Sequence, residues 1–159
     1  MIVRPARAGD AAAIAAIWNP IIDDTAITFT TAPKTEAGIA ADVAARGAAF
    51  QVAETDGTAI GFATYFPFRG GPGYARTMEH SVMLAPEARG QGAGRALMTA
   101  LEAVARDAGI HSLIGGVSGE NPEGVAFHER LGFKEIARLP EVGFKFGRWM
   151  DLVLMQKML

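Results

Sequence analysis

The segment Ala88-Arg89-Gly90-Gln91-Gly92-Ala93-Gly94-Arg95-Ala96-Leu97 joins a run of strand character to a run of helical periodicity, and it constrains the fold more than any other part of the chain. Glycine at 90, 92 and 94 suits a backbone that turns sharply and approaches a ligand closely, because side chains obstruct both. The helix that follows offers unpaired N–H groups and the positive end of its dipole, so the turn reads as a cradle for phosphate oxygens. Arg89 and Arg95 add positive charge. The alternative is a tight strand-to-helix turn with no ligand. Two common nucleotide motifs fail on spacing. A Gly-x-Gly-x-x-Gly fingerprint begun at Gly90 needs glycine at Arg95, and begun at Gly92 needs glycine at Leu97. A P-loop needs Gly-Lys followed by Ser or Thr, and no Gly-Lys pair occurs.

Periodicity on either side of the turn predicts a layered protein. Ile2 to Pro5 is a short strand, and Gly9-Asp10 stops it and caps a helix reaching about Ile22. Ile14, Ile17, Trp18, Ile21 and Ile22 share one face of that helix, and Pro20 is a point of kinking. Thr25 to Thr35 reads as a loop carrying the isolated aromatic Phe29, and Glu36 to Arg46 as a helix stopped by Gly47. Phe50 to Glu54 and Thr58 to Phe66 flank Asp56-Gly57, a pair that tolerates positive φ, which predicts an antiparallel hairpin. Arg69 to Gly73 is a loop and Tyr74 to Leu84 a long strand. The cradle opens a helix from Gly92 to Ala108, buried along Leu97, Leu101, Val104 and Ala108. Then come a strand from His111 to Val117, a helix opened by Asn121-Pro122 and stopped at Gly132, and strands from Phe133 to Leu139 and Trp149 to Lys157. The order β-α-α-β-β-β-α-β-α-β-β predicts an α/β fold of the layered α+β kind. Its mixed, mostly antiparallel sheet is flanked by helices in a single domain over 1–159.

Composition narrows the partners. Half of the 159 residues are hydrophobic and a fifth charged, which is globular rather than disordered. A net charge of −2 gives no basic footprint for nucleic acid. Without cysteine there is no disulfide or thiolate chemistry, which favours a cytosolic setting. His80, His111 and His128 lack metal-ligand spacing, so no metal is expected. The N-terminus is unlike a signal peptide and no run approaches a membrane span, so a soluble protein is expected.

Arg89, Gly92 and Gly94 fill the pattern Arg/Gln-x-x-Gly-x-Gly/Ala, which resembles the acetyl-CoA motif of the GNAT superfamily of N-acetyltransferases. Further residues sharpen the resemblance. They are Asp23-Asp24-Thr25 before Thr28-Phe29, Glu79-His80-Ser81-Val82, Phe127-His128-Glu129-Arg130-Leu131-Gly132-Phe133, and Val142-Gly143-Phe144-Lys145-Phe146-Gly147-Arg148-Trp149-Met150-Asp151. Together they look like the branch that acetylates phosphinothricin and methionine sulfoximine. The resemblance covers about residues 2 to 159, and implies the GNAT fold, acetyl-CoA as donor, a small amino-acid analogue as acceptor, and a cytoplasmic homodimer.

The same resemblance distributes the roles. Arg89, Gly90, Gln91, Gly92, Ala93, Gly94 and Arg95 would grip the pyrophosphate. The backbone of Val82, Met83 and Leu84 would pair with the pantetheine arm as a peptide adds to a sheet edge, and its amides would polarise the thioester carbonyl. Asn121 would contact the arm, unless its side chain only caps a helix. An amine is mostly protonated at neutral pH, so attack on the thioester needs a base, and the departing thiolate benefits from an acid. Glu79 would be that base, its other reading being a salt-bridged strand residue. His128 stands where many members carry a tyrosine acid; its other reading is a packed, hydrogen-bonded histidine. His80 and Ser81 would line the acceptor site, walled by Phe29 and Tyr74. Arg69 is a candidate for the acceptor carboxylate, because guanidinium binds it with two parallel bonds, or it is an unpaired surface arginine. Gly71 and Met83 depart from close relatives that often carry a second arginine or an aromatic and a tyrosine there, which implies a wider or a less polar acceptor pocket. Other acceptors (a polyamine, an aminoglycoside, a protein N-terminus), a non-catalytic acetyl-CoA sensor and a nucleotide-binding regulatory domain stay open at this point.

Overall fold

The computed structural model describes residues 1–159. Strands β1 Ile2–Pro5, β2 Phe50–Thr55, β3 Thr58–Pro67, β4 Thr77–Leu84, β5 Ser112–Ser118, β6 Lys134–Lys145 and β7 Arg148–Met158 form one sheet, ordered β1-β2-β3-β4-β5-β7-β6. All neighbours are antiparallel except β4 and β5, which run parallel and are joined through helix α3 Ala93–Asp107. The β2–β3 hairpin turns at Asp56 and Gly57, whose φ values of 51° and 78° are those of the turn that matches strand twist.

Alternation along β2 and β3 splits the core in two. Phe50, Val52 and Phe62 pack on Ile14, Trp18 and Ile22 of helix α1 Ala11–Asp24 and on Ile39 and Val43 of helix α2 Glu36–Arg46. Ala53, Ala63 and Tyr65 face the other way, onto Leu97 and Leu101 of α3 together with Leu113, Val153 and Met155. Helix α4 Pro122–Arg130 joins this second cluster through Val125 and Phe127. Each large side chain so buried contributes roughly 1.5–3 kcal/mol, which overrides local preference. That is why α1 continues through Pro20, flanked as it is by buried Ile17, Trp18, Ile21 and Ile22.

Helix α2 starts where Thr35 Oγ1 accepts from Gly38 N at 3.0 Å. Thr35→Ala is expected to remove about 1 kcal/mol of stability. Thermal unfolding should show a fall in Tm of roughly 2–4 °C for a chain of this size.

Three local expectations are corrected. Asp10 stands at the N-cap position of α1 but its side chain makes no bond to the helix; its carboxylate accepts from Arg7 N at 2.7 Å and from Arg4 at 2.8 Å, closing the short turn before it. Tyr74 is not in a strand, because Pro72 starts a 3-10 turn through Tyr74 and β4 begins only at Thr77. Strand β6 does not stop at Leu139; a shift in register between Leu139 and Gly143 carries it past Pro140 to Lys145, and Phe146 and Gly147, at φ 53° and 73°, turn it into β7.

Candidate active site

Strands β4 and β5 are paired only from Thr77 opposite Ser112 to His80 opposite Gly115. Beyond that point β4 follows β3 to Leu84 and β5 follows β7 to Ser118, so the two parallel strands part and each leaves one backbone edge unpaired. A cavity of about 320 Å³ opens in the gap. It is lined by His80, Ser81, Val82, Met83 and Leu84 on one side and Gly115, Gly116 and Val117 on the other. Arg89, Gly90 and Gly94 close one end; Asn121, Glu123, Gly124, Phe127, His128 and Arg130 form the α4 side; Ile21 and Ile27 complete the lining.

The glycine turn delivers the start of α3 to this cavity. Gly90 and Gly92 have φ of 73° and 83°, and Gly92 enters the helix in left-handed conformation with no side chain capping it. The first helical N–H groups, those of Ala93, Gly94 and Arg95, therefore have no acceptor within the helix. A Cβ on Gly94 would lie 3.0 Å from the Phe127 ring, so glycine there lets α3 close on α4. Gln91 ties the turn down through Nε2 to Glu87 O at 2.7 Å. Arg95 reaches Arg130 O at 3.4 Å. Of the cradle residues, Arg89, Gly90 and Gly94 line the cavity, while Gln91, Gly92, Ala93 and Arg95 shape the turn around it. Asn121 lines the cavity and also caps α4, its Oδ1 accepting from Gly124 N at 3.0 Å, which leaves its NH2 for a ligand. Neither Glu123 nor Arg130 carries a sequence signal that separates it from any polar residue of a short surface helix.

His128 and His80 form a buried pair at the point where the strands part. Nδ1 of His128 lies 2.7 Å from Gly124 O, a carbonyl that can only accept, so the ring holds its proton there. Nε2 of neutral His128 is then an acceptor, and His80 Nε2–H, 2.9 Å away, is the donor. His80 Nδ1 is left buried without a partner. Burial lowers the pKa of both rings, and for His80 the field of His128 lowers it further. The geometry of His128 is thus that of the packed, hydrogen-bonded histidine, with no N–H aimed into the cavity. Gly115 makes room for the pair, since a Cβ there would lie 3.0 Å from His80 Cε1 and 3.2 Å from His128 Nε2.

Glu79 sits one residue before the strands part, opposite Phe66 on β3 and Ile114 on β5. It is half-buried on the face of Ser81 and Met83, and burial raises its carboxyl above the usual range. None of the ion pairs of the chain includes it. A smaller cavity of about 220 Å³ shares Ser81 and Met83 with the first and is lined further by Trp18, Thr28, Thr30, Lys34, Asp42, Arg46 and Phe66. Glu79 lines neither cavity itself, but its strand neighbour Phe66 and its face neighbour Ser81 do. The other expected acceptor residues are not gathered there. Arg69 is exposed, its guanidinium 5.7 Å from the Tyr74 ring centre, and Phe29 lies over Gly143. Instead Lys34 and Arg46 stand at the smaller cavity, Arg46 paired there with Asp42 at 3.6 Å and Lys34 in no ion pair. Arg46 ends a helix, where a basic residue is ordinary, so the sequence carries no distinguishing signal.

The sequence pattern of the Acetyltransferase (GNAT) family matches residues 16–133. The chain belongs to the GNAT family of acetyltransferases. "L-amino acid N-acyltransferase MnaT" of Escherichia coli K12 is 38% identical to this GNAT enzyme over 98% of the chain and 92% of its own length. A "L-methionine sulfoximine/L-methionine sulfone acetyltransferase" of Salmonella typhimurium is 36% identical, covering 98% of this chain and 93% of its own. The solved structure of a GNAT superfamily phosphinothricin acetyltransferase from Sinorhizobium meliloti in complex with AcCoA superimposes with a TM-score of 0.93. It is 32% identical, covering 99% of this chain and 88% of its own. The GNAT fold is therefore shared.

Proposed function

We propose that this acetyltransferase moves the acetyl group of acetyl-CoA to the amine of a small amino-acid analogue of the methionine sulfoximine or phosphinothricin type, by direct attack with both substrates bound. The observation that carries the proposal is the parting of β4 from β5 beside the uncapped start of α3. The free edge at Val82, Met83 and Leu84 suits the amides of a pantetheine arm, and the open N–H groups of α3 with Arg89 suit a pyrophosphate. The cavity and the substrates named for the relatives agree with this reading.

Each residue then has one task. A β4 amide beside the gap polarises the thioester carbonyl, and Glu79, directly or through water, takes a proton from the ammonium so that its lone pair attacks. The new bond is amine nitrogen to acetyl carbon and the bond broken is carbon to sulfur; the second proton of the attacking nitrogen passes to the leaving thiolate, directly or through water, so that the products are the amide and the CoA thiol. His128 builds the floor with His80. Asn121 offers its NH2 to the arm. Lys34, which is in no ion pair, is the cation of the smaller cavity open to the acceptor's anionic groups; Arg46 beside it is paired with Asp42, and Arg69 stands outside both cavities on the loop beyond β3. Val142, Phe144, Phe146 and Trp149 are all at least half exposed at the end of the β6–β7 hairpin, which supports a homodimer closed over that strip. Sedimentation as a monomer would remove that part of the proposal.

Thiol release from acetyl-CoA should be measured with methionine sulfoximine, phosphinothricin, spermidine, an aminoglycoside and a peptide with a free N-terminal alanine. Turnover is expected with the first two. Tight acetyl-CoA binding with no release for any amine would overturn the catalytic reading. Arg89→Ala is expected to raise the KM for acetyl-CoA about tenfold and leave that of the acceptor unchanged.

A further inference from the structure

We infer that the end of β6 is a clamp that sets the acceptor wall of the site, with Lys145 as its positioning residue; the acceptor's location rests on the function proposed above. Lys145 is 3% exposed although it is a lysine at the end of a hairpin. Its Nζ donates to Thr25 O at 2.7 Å and to Thr28 O at 2.8 Å, across more than a hundred residues of chain. No carboxylate forms an ion pair with it. Burying an ammonium costs free energy that a methionine of similar reach would not lose, so packing alone does not account for a lysine here. What the ammonium adds is direction: its donors fix where two loop carbonyls stand.

Gly143 completes the grip from the same strand. A Cβ at that position would run into the Phe29 ring, so β6 holds the loop at Thr25, Thr28 and Phe29 together. The loop is fastened again at both ends. Thr25 Oγ1 donates to Ile21 O at 2.6 Å and accepts from Ile27 N at 3.2 Å, while Asn19 and Lys34 exchange bonds of 3.0 and 2.8 Å. Between these fastenings the loop presents Ile27 to the larger cavity and Thr28 and Thr30 to the smaller one. The cavities meet at Ser81 and Met83, on the strand that carries Glu79. A shift of the loop therefore reshapes the acceptor side, while the glycine turn at the other end of the larger cavity makes none of these contacts.

Lys145→Met and Gly143→Ala test this. In each variant the acceptor KM is expected to rise about tenfold or more, with the acetyl-CoA KM within about twofold of wild type. Hydrogen exchange of the amides of 26–30 should accelerate while that of α3 stays unchanged. A folded Lys145→Met variant with wild-type acceptor KM and wild-type exchange at 26–30 would overturn the clamp. An equal rise in both KM values would overturn its assignment to the acceptor side. If wild type itself acetylates no amine, the proposed acceptor class fails, and the exchange measurement still decides whether Lys145 holds the loop.

Discussion

Glu79→Gln is expected to lower kcat by about 10²–10⁴ without unfolding the protein or weakening acetyl-CoA binding. The carboxyl is half-buried at the head of the parted strands, is in no ion pair and needs none for β4 to pair on both sides. A neutral amide of the same shape therefore loses the proton acceptor and little else. Burial raises the Glu79 carboxyl, which brings its value closer to that of the ammonium it deprotonates. The base acts ionised, so wild-type kcat falls as pH drops through that raised value, and this limb should be missing in Glu79→Gln. Profiles of kcat from about pH 5 to 9 with a saturating amine are the measurement. Full turnover by the glutamine variant across that range would remove Glu79 from the proton path.

Much of this arrangement is legible in residue order, and the parts that are not share a cause. The glycine turn, the Asp56-Gly57 hairpin and the amphipathic face of α1 are local, so spacing alone predicts them; on α3 it finds Leu97 and Leu101, whereas Ala108, expected on the same stripe, lies exposed past the helix end and Met98 and Ala105 are buried instead. The parallel pairing of β4 and β5 follows from a strand–helix–strand unit, but the residue at which they part does not. At that point the His80–His128 pair packs on Gly115, a contact between residues 48 apart that no local pattern announces. The run from Val142 to Asp151 is conspicuous as a motif and misread as an interruption. Its glycines and Pro140 look like strand breakers, whereas Gly143 makes room for Phe29 and Phe146-Gly147 forms a tight turn. Arg46 and Lys34 escape notice because nothing in their own helix or loop marks them; only the fold brings them to Ser81 and Met83.

Acid is expected to destabilise the protein in a window where its carboxylates are still ionised, and the histidine pair is the reason. Both rings titrate lower in the folded chain than in the unfolded one, because burial disfavours the imidazolium, so the unfolded state binds more protons as pH falls below about 6.5. Their contribution is complete above that value and is lost on acidification, at up to about 1.4 kcal/mol per pH unit for each ring. Asp10, which Arg4 holds below the usual carboxylate range, loses its contribution only below about pH 4. Glu79, shifted upward, acts with the opposite sign, so a falling Tm between about pH 6.5 and 4.5 reports the histidines. His128→Phe keeps an aromatic ring on Gly115 but strands the N–H of His80, which should remove about 1–3 kcal/mol at neutral pH. It should also flatten the acid slope, since one titrating ring is gone and the charge of its partner no longer opposes protonation of His80. Thermal unfolding of both proteins across that range checks the pair. A wild-type Tm that stays flat, or a phenylalanine variant with the full wild-type slope, would mean that the rings take up protons without unfolding the floor of the site.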